Sequence, residues 1–237
     1  MKQEGGRLYV VSTPIGNLED ITLRALRVLK EVEIIAAEDT RRARQLLAHY
    51  QIKGPILTSY HDHNKERKTP ILVRQMLSGH SVAVVSDAGT PGISDPAYFL
   101  VNHALKSQIP VVPIPGASAL MAALVVSGLP TDRFVFEGFL PAKGSKRKKR
   151  LQELKEETRT VVLFESPHRL LPSLKDTQQI LGDREVCLCR ELTKRFEETL
   201  RGRLSQIIEQ LQGEKCRGEF VLVIRGAEKP KPVDSVD

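Results

Sequence analysis

The sequence predicts an α/β protein of two domains, the first on a parallel five-stranded sheet and the second on a mixed sheet. In the first half, short β-branched runs alternate about five times with helical patterns. These runs lack the polar alternation of half-exposed strands, which is typical of a parallel sheet covered by helices on both faces. The pattern pauses around residues 127–133, so we place the domain boundary after residue 128.

The first domain, residues 1–128, is expected to alternate strand and helix throughout. The predicted strands are Arg7–Ser12, Val32–Ala37, Pro55–Ser59, Ser81–Ser86 and Val111–Ile114. The predicted helices are Asp20–Lys30, Thr40–Tyr50, Thr69–Ser78, Asp95–Ser107 and Ser118–Ser127. Asp20 is the expected N-cap of the first helix. Gly79 and Gly128 end the third and fifth helices, because glycine readily follows the last helical turn.

The second domain is expected to span residues 129–226. It opens with Phe134–Phe139 and a basic helix that runs through Glu157. The further strands are predicted at Thr160–Phe164, Glu185–Arg190 and Glu219–Arg225, and the further helices at Leu170–Leu181 and Leu204–Leu211. The tail, residues 227–237, has no run of apolar residues that could form a core, and it is predicted to be disordered.

Composition narrows the class of partner. Lys and Arg number 36 against 29 Asp and Glu, a net charge of +7, which modestly favours a polyanionic partner. Aromatic residues make up only 5% and Trp is absent, which argues against a protein that stacks many bases. The apolar stretch Ile109–Leu129 is interrupted by Pro110, Pro113, Pro115 and Gly116, so a membrane span is not expected there.

The cysteines and the first residues indicate the compartment. Three cysteines, Cys187, Cys189 and Cys216, are too few for a disulfide framework and favour a reducing environment. The first residues show no apolar segment before a small-residue cleavage site, so no signal peptide is expected. A cytoplasmic location is therefore predicted.

Four loops of the first domain follow predicted strands and are rich in glycine, proline and small polar residues. They are TPIGN from Thr13, EDTR from Glu38, DAGTPGISDP from Asp87 and PGASA from Pro115. The carboxyl ends of parallel strands meet at one edge of the sheet, where ligands bind in open α/β folds. Glycine allows the backbone to approach a ligand closely, and helix N-termini hold anions. We therefore expect a small-molecule pocket at this edge.

Other motifs are mostly negative. No G-x-G-x-x-G follows the first strand and no GxxxxGK[ST] is present, which disfavours a dinucleotide site and a P-loop. Cys187 and Cys189 lie on one face of a strand and are expected to be packed core thiols rather than zinc ligands. His61 and His63 flank Asp62 and are expected in a solvated loop, with a metal site as the weaker alternative.

Two segments of the second domain place reactive side chains after predicted strands. They are FESPHR from Phe164 and RELTKRFE from Arg190. A carboxylate, an imidazole and several cations near a pocket can act as a base and as clamps for ribose or phosphate. Helix caps and surface ion pairs are the structural alternative. The run KGSKRKKR from Lys143 suits equally a solvated helix start and contacts with a phosphate backbone.

These segments together resemble a known family. STPIGNLEDIT, AEDTRR, SDAGTPGISDP, PGASA, FEGFLP, FESPHR and RELTKRFEE, in this order from about Leu8 to Gly226, are similar to the class III, tetrapyrrole methylase-like methyltransferases. They most resemble the branch that modifies ribosomal RNA. The resemblance implies two α/β domains with S-adenosylmethionine bound in the cleft between them, and a homodimer. It also implies methylation of a cytidine ribose 2′-hydroxyl in 16S rRNA at the decoding centre.

The resemblance also implies the residues that contact the cofactor. They are Pro14, Gly16, Asp87, Ala88, Gly89, Thr90, Pro91, Gly92, Ile93, Ser118 and Ala119 from the first-domain loops. From the second domain come Phe164, Glu219 and Phe220, with Glu165 close by.

Given that activity, the chemistry suggests catalytic and RNA-binding residues. A ribose hydroxyl is a poor nucleophile until its proton is taken, so a base is useful. Glu165 and Asp39 are the candidate bases, and the further catalytic candidates His168 and Lys194 would orient ribose and phosphate. The candidate RNA contacts are Arg41, Arg42, Lys143, Lys146, Arg147, Lys148, Lys149, Arg150, Arg169 and Arg190. The expected substrate is a single strand or an opened loop, because the hydroxyl must enter a cleft.

Two alternatives stay open. The chain could be a related enzyme that methylates a carbon of a tetrapyrrole, although the basic run disfavours an acidic macrocycle. It could also be a ribosome-assembly factor that binds RNA without catalysis, although the intact strand-end loops argue against a lost cofactor site.

Overall fold

The structure is a computed structural model that describes residues 5–213 and 216–228. The chain divides into two compact units, Met1–Ser118 and Ala119–Asp237. Each unit has its own sheet and its own hydrophobic clusters.

The first unit is an open parallel sheet. Its strands are β1 (Leu8–Val11), β2 (Ile34–Ala37), β3 (Ile56–Ser59), β4 (Val82–Val85) and β5 (Val111–Ile114). Its helices are α1 (Leu23–Glu31), α2 (Thr40–His49), α3 (Lys65–Leu77) and α4 (Ala97–Lys106). The strand order is β3-β2-β4-β1-β5 with every pairing parallel, which confirms the predicted sheet.

Helices cover both faces of this sheet. Helices α1 and α2 pack on one face through residues such as Val28 and Leu47. Helices α3 and α4 pack on the other through Met76 and Leu100. The strands β2 and β4 are buried along their whole length, which is why their sequences are continuously apolar, whereas the edge strand β3 is exposed or half-buried.

The second unit contains a mixed sheet. Its strands are β6 (Phe134–Phe139), β7 (Thr160–Glu165), β8 (Glu185–Arg190), β9 (Glu198–Arg203) and β10 (Phe220–Ile224). Its helices are α5 (Ala119–Val126), α6 (Gly144–Glu153), α7 (Leu170–Leu181) and α8 (Leu204–Gln210). The order is β6-β7-β10-β8-β9, and only β6 and β7 pair in parallel.

Helix α5 belongs to the second unit. Its residues Leu120 and Leu124 are buried against Val221 and Val223 of β10. The first unit therefore ends at Ser118, ahead of the position expected from the sequence pattern. Helices α6, α7 and α8 contribute to the apolar cluster on the other face of the sheet.

Three predicted elements need correction. Asp20 is not the N-cap of α1: it lies in a short 3₁₀ turn, and the Thr22 side chain caps α1 by accepting from Ala25 N. Helix α3 begins at Lys65 and runs through Pro70 instead of starting at Thr69. Strand β9 was not predicted, because ETLRGR is a polar edge strand with mostly exposed or half-buried residues.

The remaining expectations concern a membrane span and the C-terminal tail. No helix within residues 5–213 and 216–228 is long and apolar enough to cross a membrane. From residue 229 onward, the tail predicted to be disordered lies outside the described residues.

Candidate active site

The loops after β1 and β4 meet at the point where the chain connections diverge. The strands are neighbours, but β1 leads to α1 on one face of the sheet and β4 leads to α4 on the other. In open α/β sheets such a switch point leaves a crevice at the carboxyl ends of the strands. Thr13 and Gly89 form a backbone bridge there, with N–H···O distances of 2.9 and 3.0 Å.

The loop after β5 is joined to the same two loops. Ser12 Oγ lies 3.0 Å from Thr90 Oγ1, and Thr90 Oγ1 donates to the Ala117 carbonyl at 3.3 Å. A Cβ on Gly116 would lie 2.9 Å from Ser12 Cβ, so this close approach requires glycine. Three of the four predicted loops therefore form one connected rim.

The loop after β2 completes the rim through Asp87. The Asp87 carboxylate accepts from Asp39 N at 2.9 Å, and Arg42 Nη1 lies 3.6 Å from its other oxygen. In return, Asp87 N donates to Glu38 Oε2 at 3.3 Å. Asp87 is thus engaged mainly in holding two loops together.

Two neighbouring carboxylates on this rim have opposite proton affinities. Burial raises the pKa of Glu38, with the nearby Asp87 carboxylate adding to the rise. The Arg41 guanidinium, which donates through Nε and Nη2, holds the pKa of Asp39 far below its usual range. Asp39 is therefore a very weak base, and its carboxylate also caps α2 through Arg41 N.

Parts of the rim present exposed backbone with little or no side chain. Gly16, Ala88, Gly92 and Gly116 are all exposed, and the nearest atom to a Cβ on Gly92 would be a backbone nitrogen 3.9 Å away. The Asp95 carboxylate fixes this loop by accepting from the N–H groups of Gly92 and Ala97. Such open, anchored backbone can lie directly against a small ligand.

In the second unit, three candidate residues and one residue of β9 share one row at one end of the sheet. Phe220 is paired with Glu165 of β7 on one side and with Arg190 of β8 on the other, and Arg190 is paired with Glu198 of β9. Phe164 lies one residue before Glu165, on the opposite face of the sheet, beside Phe139. The FESPHR and RELTKRFE segments and the start of β10 are thus brought together.

Glu165 and Arg169 form a closed ion pair. Arg169 Nη2 lies 2.6 Å from Glu165 Oε1, and the same oxygen accepts from Ser166 N. The Glu165 side chain is only 4% exposed. A carboxylate so engaged is poorly placed to take a substrate proton. His168 lies within this turn with its side chain exposed, and no hydrogen bond to its ring is found in the described part of the chain.

Lys194 is held between two glutamates. Its Nζ lies 2.8 Å from Glu191 Oε1 and 3.0 Å from Glu219 Oε2. These partners raise the pKa of Lys194 despite the opposing effect of burial, so the amine stays charged. Lys194 thus links the loop after β8 to the start of β10.

The basic run of α6 divides into two groups. Arg147 is buried and forms an ion pair with Asp176 of α7 at 2.5 Å, and Arg150 pairs with Glu137 and Glu153. Lys143, Lys146, Lys148 and Lys149 are exposed, although Lys148 also lies 3.4 Å from Asp176. The lysines therefore present the positive charge of this helix, whereas Arg147 serves packing.

The alternative metal sites gain no support in the described residues. No cluster of three His, Cys, Asp or Glu side chains suited to a metal occurs in the ranges 5–213 and 216–228. Cys187 and Cys189 are buried with Val162 and Val223, and their Sγ atoms are 3.7 Å apart. His61 contacts Asn64 through Nε2 at 3.1 Å.

Sequence reasoning passed over two carboxylates at the first rim, Glu38 and Asp95. Both lie inside the predicted loops, and burial raises the pKa of each. Glu38 stands directly beside Asp39, and no feature of EDTR distinguishes which of the two is shielded from water. Burial, visible only in the fold, makes the distinction.

The first unit thus has a rim of connected loops at the carboxyl ends of its parallel strands, and the second unit has a row of aligned residues on its mixed sheet. The chain belongs to the tetrapyrrole (corrin/porphyrin) methylase family, whose pattern matches residues 7–208. The chain is 50% identical over 232 residues to ribosomal RNA small subunit methyltransferase I of Halalkalibacterium halodurans, covering 98% of this chain and 80% of that protein. It is 48% identical to the protein of the same name from Thermotoga maritima, covering 94% of this chain and all of that one.

Solved structures support the fold. Uroporphyrin-III C-methyltransferase of Thermus thermophilus, complexed with S-adenyl homocysteine, matches with a TM-score of 0.62 at 22% identity. The match covers 92% of this chain and 97% of that chain. At this identity the likeness concerns the architecture of both sheets, which agrees with the predicted fold class.

Proposed function

We propose that this protein transfers the methyl group of S-adenosylmethionine to the ribose 2′-hydroxyl of a cytidine in 16S rRNA, at the decoding centre. The observation that carries the proposal is the connected rim of strand-end loops, in a chain about half identical over nearly its full length to rRNA methyltransferases. The rim suits a small ligand, and the relatives' name supplies the substrate class.

The first-unit rim would provide most of the cofactor contacts. The exposed backbone at Gly16, Ala88 and Gly92 fits a ligand that needs close approach. The proposed contacts are Pro14, Gly16, Asp87, Ala88, Gly89, Thr90, Pro91, Gly92, Ile93, Ser118, Ala119, Phe164, Glu219 and Phe220. When bound, S-adenosylmethionine supplies an activated methyl group, so the protein's main work is to orient the oxygen that receives it.

Among the four catalytic candidates, His168 is the one we assign as proton acceptor. Glu165, Asp39 and Lys194 are each held in an ion pair. His168 is exposed three residues after Glu165, and an imidazole can act as a general base. Glu165 would act as a positioning residue that holds Arg169, and Lys194 as one that fixes its loop.

RNA would be bound mainly by exposed cations, with the half-buried and ion-paired Arg169 and Arg190 as additional contacts. We assign Lys143, Lys146, Lys148 and Lys149 to phosphate contacts, together with Arg41 and Arg42 at the first rim and Arg169 and Arg190 at the row of the second sheet. Arg147 and Arg150 would shape this surface through their own ion pairs. The net charge of +7 agrees with a polyanionic substrate.

Two further features complete the proposal. The enzyme would act in the cytoplasm, where ribosomes are assembled, and it would be a homodimer. The exposed apolar side chains of α5, Met121, Val125 and Val126, are a surface that a second copy could cover. Light scattering of the purified protein, with Val125→Asp as the test variant, distinguishes a dimer from a monomer.

The decisive experiment maps 2′-O-methylation on small-subunit rRNA. Unmodified small subunits and naked 16S rRNA are incubated with labelled S-adenosylmethionine and the protein, and the modified nucleotide is located. Transfer to one cytidine ribose is the expected result. Transfer to uroporphyrinogen instead would favour the tetrapyrrole alternative. S-adenosylmethionine binding that is undetectable by calorimetry would favour a non-catalytic RNA-binding factor.

A further inference from the structure

The loop between β8 and β9, residues 191–197, is held rigidly from several sides. Glu191 N donates to the Glu219 carbonyl at 3.0 Å, and Glu219 N donates back to the Glu191 side chain at 2.9 Å. Lys194 Nζ bridges both carboxylates, and Thr193 N donates to Glu197. A seven-residue connection with this many hydrogen bonds and ion pairs has little conformational entropy left to lose when it binds a ligand.

The same loop stores backbone strain. Glu191 has φ 49° and Thr193 has φ 67°, both in the left-handed region that side chains other than glycine rarely adopt. Thr193 is β-branched, which makes this conformation more costly. Strain of this kind persists where surrounding contacts impose it, and it concentrates at functional sites.

What the loop presents to solvent is an aromatic ring beside a cation. Phe196 is 68% exposed, and the Arg195 guanidinium lies 5.6 Å from its ring centroid. The acidic neighbours Glu191, Glu197 and Glu198 are engaged by Lys194, Thr193 N and Arg190. No carboxylate in the described part of the chain forms an ion pair with Arg195, so its charge faces outward.

We propose that Phe196, with Arg195 beside it, is a platform on which an unpaired base of the RNA substrate stacks. The inference rests on the proposed function, because it takes the substrate to be RNA. Sequence-specific RNA recognition uses unstacked bases that pack on aromatic rings and on guanidinium planes. A single ring next to an outward-facing cation on a preorganised loop fits one base and its adjoining phosphate.

The position of the loop agrees with this role. It continues directly from Arg190, which lies in the same sheet row as Glu165, and the Glu165 segment carries His168. A nucleotide held at Phe196 would therefore adjoin the end of the sheet at which we place the ribose. Phe196 is flanked in sequence by the exposed and charged Arg195 and Glu197, so it is the one apolar side chain in this stretch of the loop.

The chain contains no Trp, so a Phe196→Trp variant carries a single indole at the proposed platform. Its fluorescence is followed while a pyrimidine-rich single-stranded oligoribonucleotide is added, and again with the same strand annealed to its complement. We expect quenching by the single strand and much less by the duplex. Leu77→Trp is the matched control, because Leu77 is 60% exposed at the end of α3, away from the strand-end loops.

Affinity measurements with Phe196→Leu complete the test. Loss of one stacked base is expected to weaken single-strand binding by roughly tenfold or more, while Phe196→Tyr stays near wild type. S-adenosylmethionine affinity should be unchanged in both, which shows that they fold. If Phe196→Leu binds RNA normally and the indole is not quenched, the platform is refuted, although wild-type rRNA methylation would leave the proposed function standing. If wild type neither binds nor methylates RNA, both fail.

Discussion

Glu38 and Asp39 are consecutive residues at the end of β2, yet the fold moves their proton affinities in opposite directions. Burial raises the pKa of Glu38, and the Arg41 guanidinium lowers that of Asp39. The Glu38 carboxylate accepts a hydrogen bond from Asp87 N and so links two loops. The Asp39 carboxylate forms an ion pair with Arg41. Each therefore makes a different contribution to stability as pH changes.

Glu38→Gln should stabilise the protein increasingly as pH rises. The folded-state pKa of Glu38 is raised, so the unfolded chain gives up this proton first and ionisation costs stability above pH ~4.3. Gln cannot ionise, and its amide oxygen can still accept from Asp87 N. Urea unfolding at pH 4 and pH 7 measures the difference. A variant less stable than wild type at both pH values would contradict the assignment.

Asp39→Asn is the adjacent control and should behave in the opposite way. Its folded-state pKa is lowered, so the carboxylate contributes stability that is present above pH ~3.9 and is lost as pH falls. The variant should be less stable at pH 7 and approach wild type in acid. A deficit that stays constant with pH would show that the ion pair with Arg41 is not its cause.

Gly89→Val should abolish tight cofactor binding. Gly89 has φ 79°, and a Cβ there would lie 3.2 Å from Ile15 Cγ2, so the bridge to Thr13 would be displaced. The strain alone costs about 1–3 kcal/mol. Calorimetry with S-adenosylmethionine should show at least a tenfold loss of affinity. Gly79→Val has comparable strain, with φ 100° and open space around it at the far end of α3, and should bind normally.

His168→Gln should slow methyl transfer without weakening the binding of either S-adenosylmethionine or RNA. Removing a positioned base reduces rates by roughly 10²–10⁴. The exposed ring contributes little to folding, so the unfolding free energy should stay near that of wild type. Single-turnover transfer to small subunits measures the effect. A rate within about twofold of wild type would remove His168 from the catalytic residues and shift attention to Glu38.

Replacing the exposed lysines of α6 should weaken RNA binding through electrostatics. Lys143, Lys146 and Lys149 are spaced by three residues and all are exposed. Their joint change to Ala should lower the slope of log affinity against log salt by about 0.7 for each phosphate that is no longer neutralised, as for single strands. Cofactor affinity should not change. If changing the exposed Lys30, Lys53 and Lys106 to Ala had an equal effect, the loss of affinity would be explained by net charge and not by contacts of the α6 lysines.

Asp176→Asn should destabilise the second unit, although the residue is remote in sequence from the basic run. It removes the charge that pairs with the buried Arg147, and breaking such a pair costs about 3–5 kcal/mol. Urea unfolding provides the measurement, with exposed Lys149→Ala as the near-neutral comparison. A cost below ~1 kcal/mol would mean that Arg147 is solvated and available to RNA.

The first sheet could be predicted well because its strands have one physical requirement. Val82–Val85 and Ile34–Ala37 are buried on both faces, so their sequences are apolar without alternation. Strand β9 escaped prediction for the opposite reason. It lies at the sheet edge, where Glu198, Arg201 and Arg203 face water, and its pairing with β8 alone defines it as a strand.

The site was predicted at the level of loops but not of individual side chains. The loop from Asp87 to Pro96 was singled out by its glycine and proline content, which reflects backbone geometry and is readable in sequence. Arg147 and Lys146 look equivalent in KGSKRKKR, and only Asp176, 29 residues along the chain from Arg147, makes one buried. Likewise, no local sequence pattern shows that Lys194 forms ion pairs with both Glu191 and Glu219.

The ladder that joins Glu165, Phe220, Arg190 and Glu198 constrains how this protein can change over time. Side chains alternate between the faces of a strand, so deleting one residue from β7, β8 or β10 would turn its member of the row toward the helix α5 side. Insertions should therefore accumulate in the helix-bearing connections, and the lengths of these three strands should be preserved among descendants of this gene.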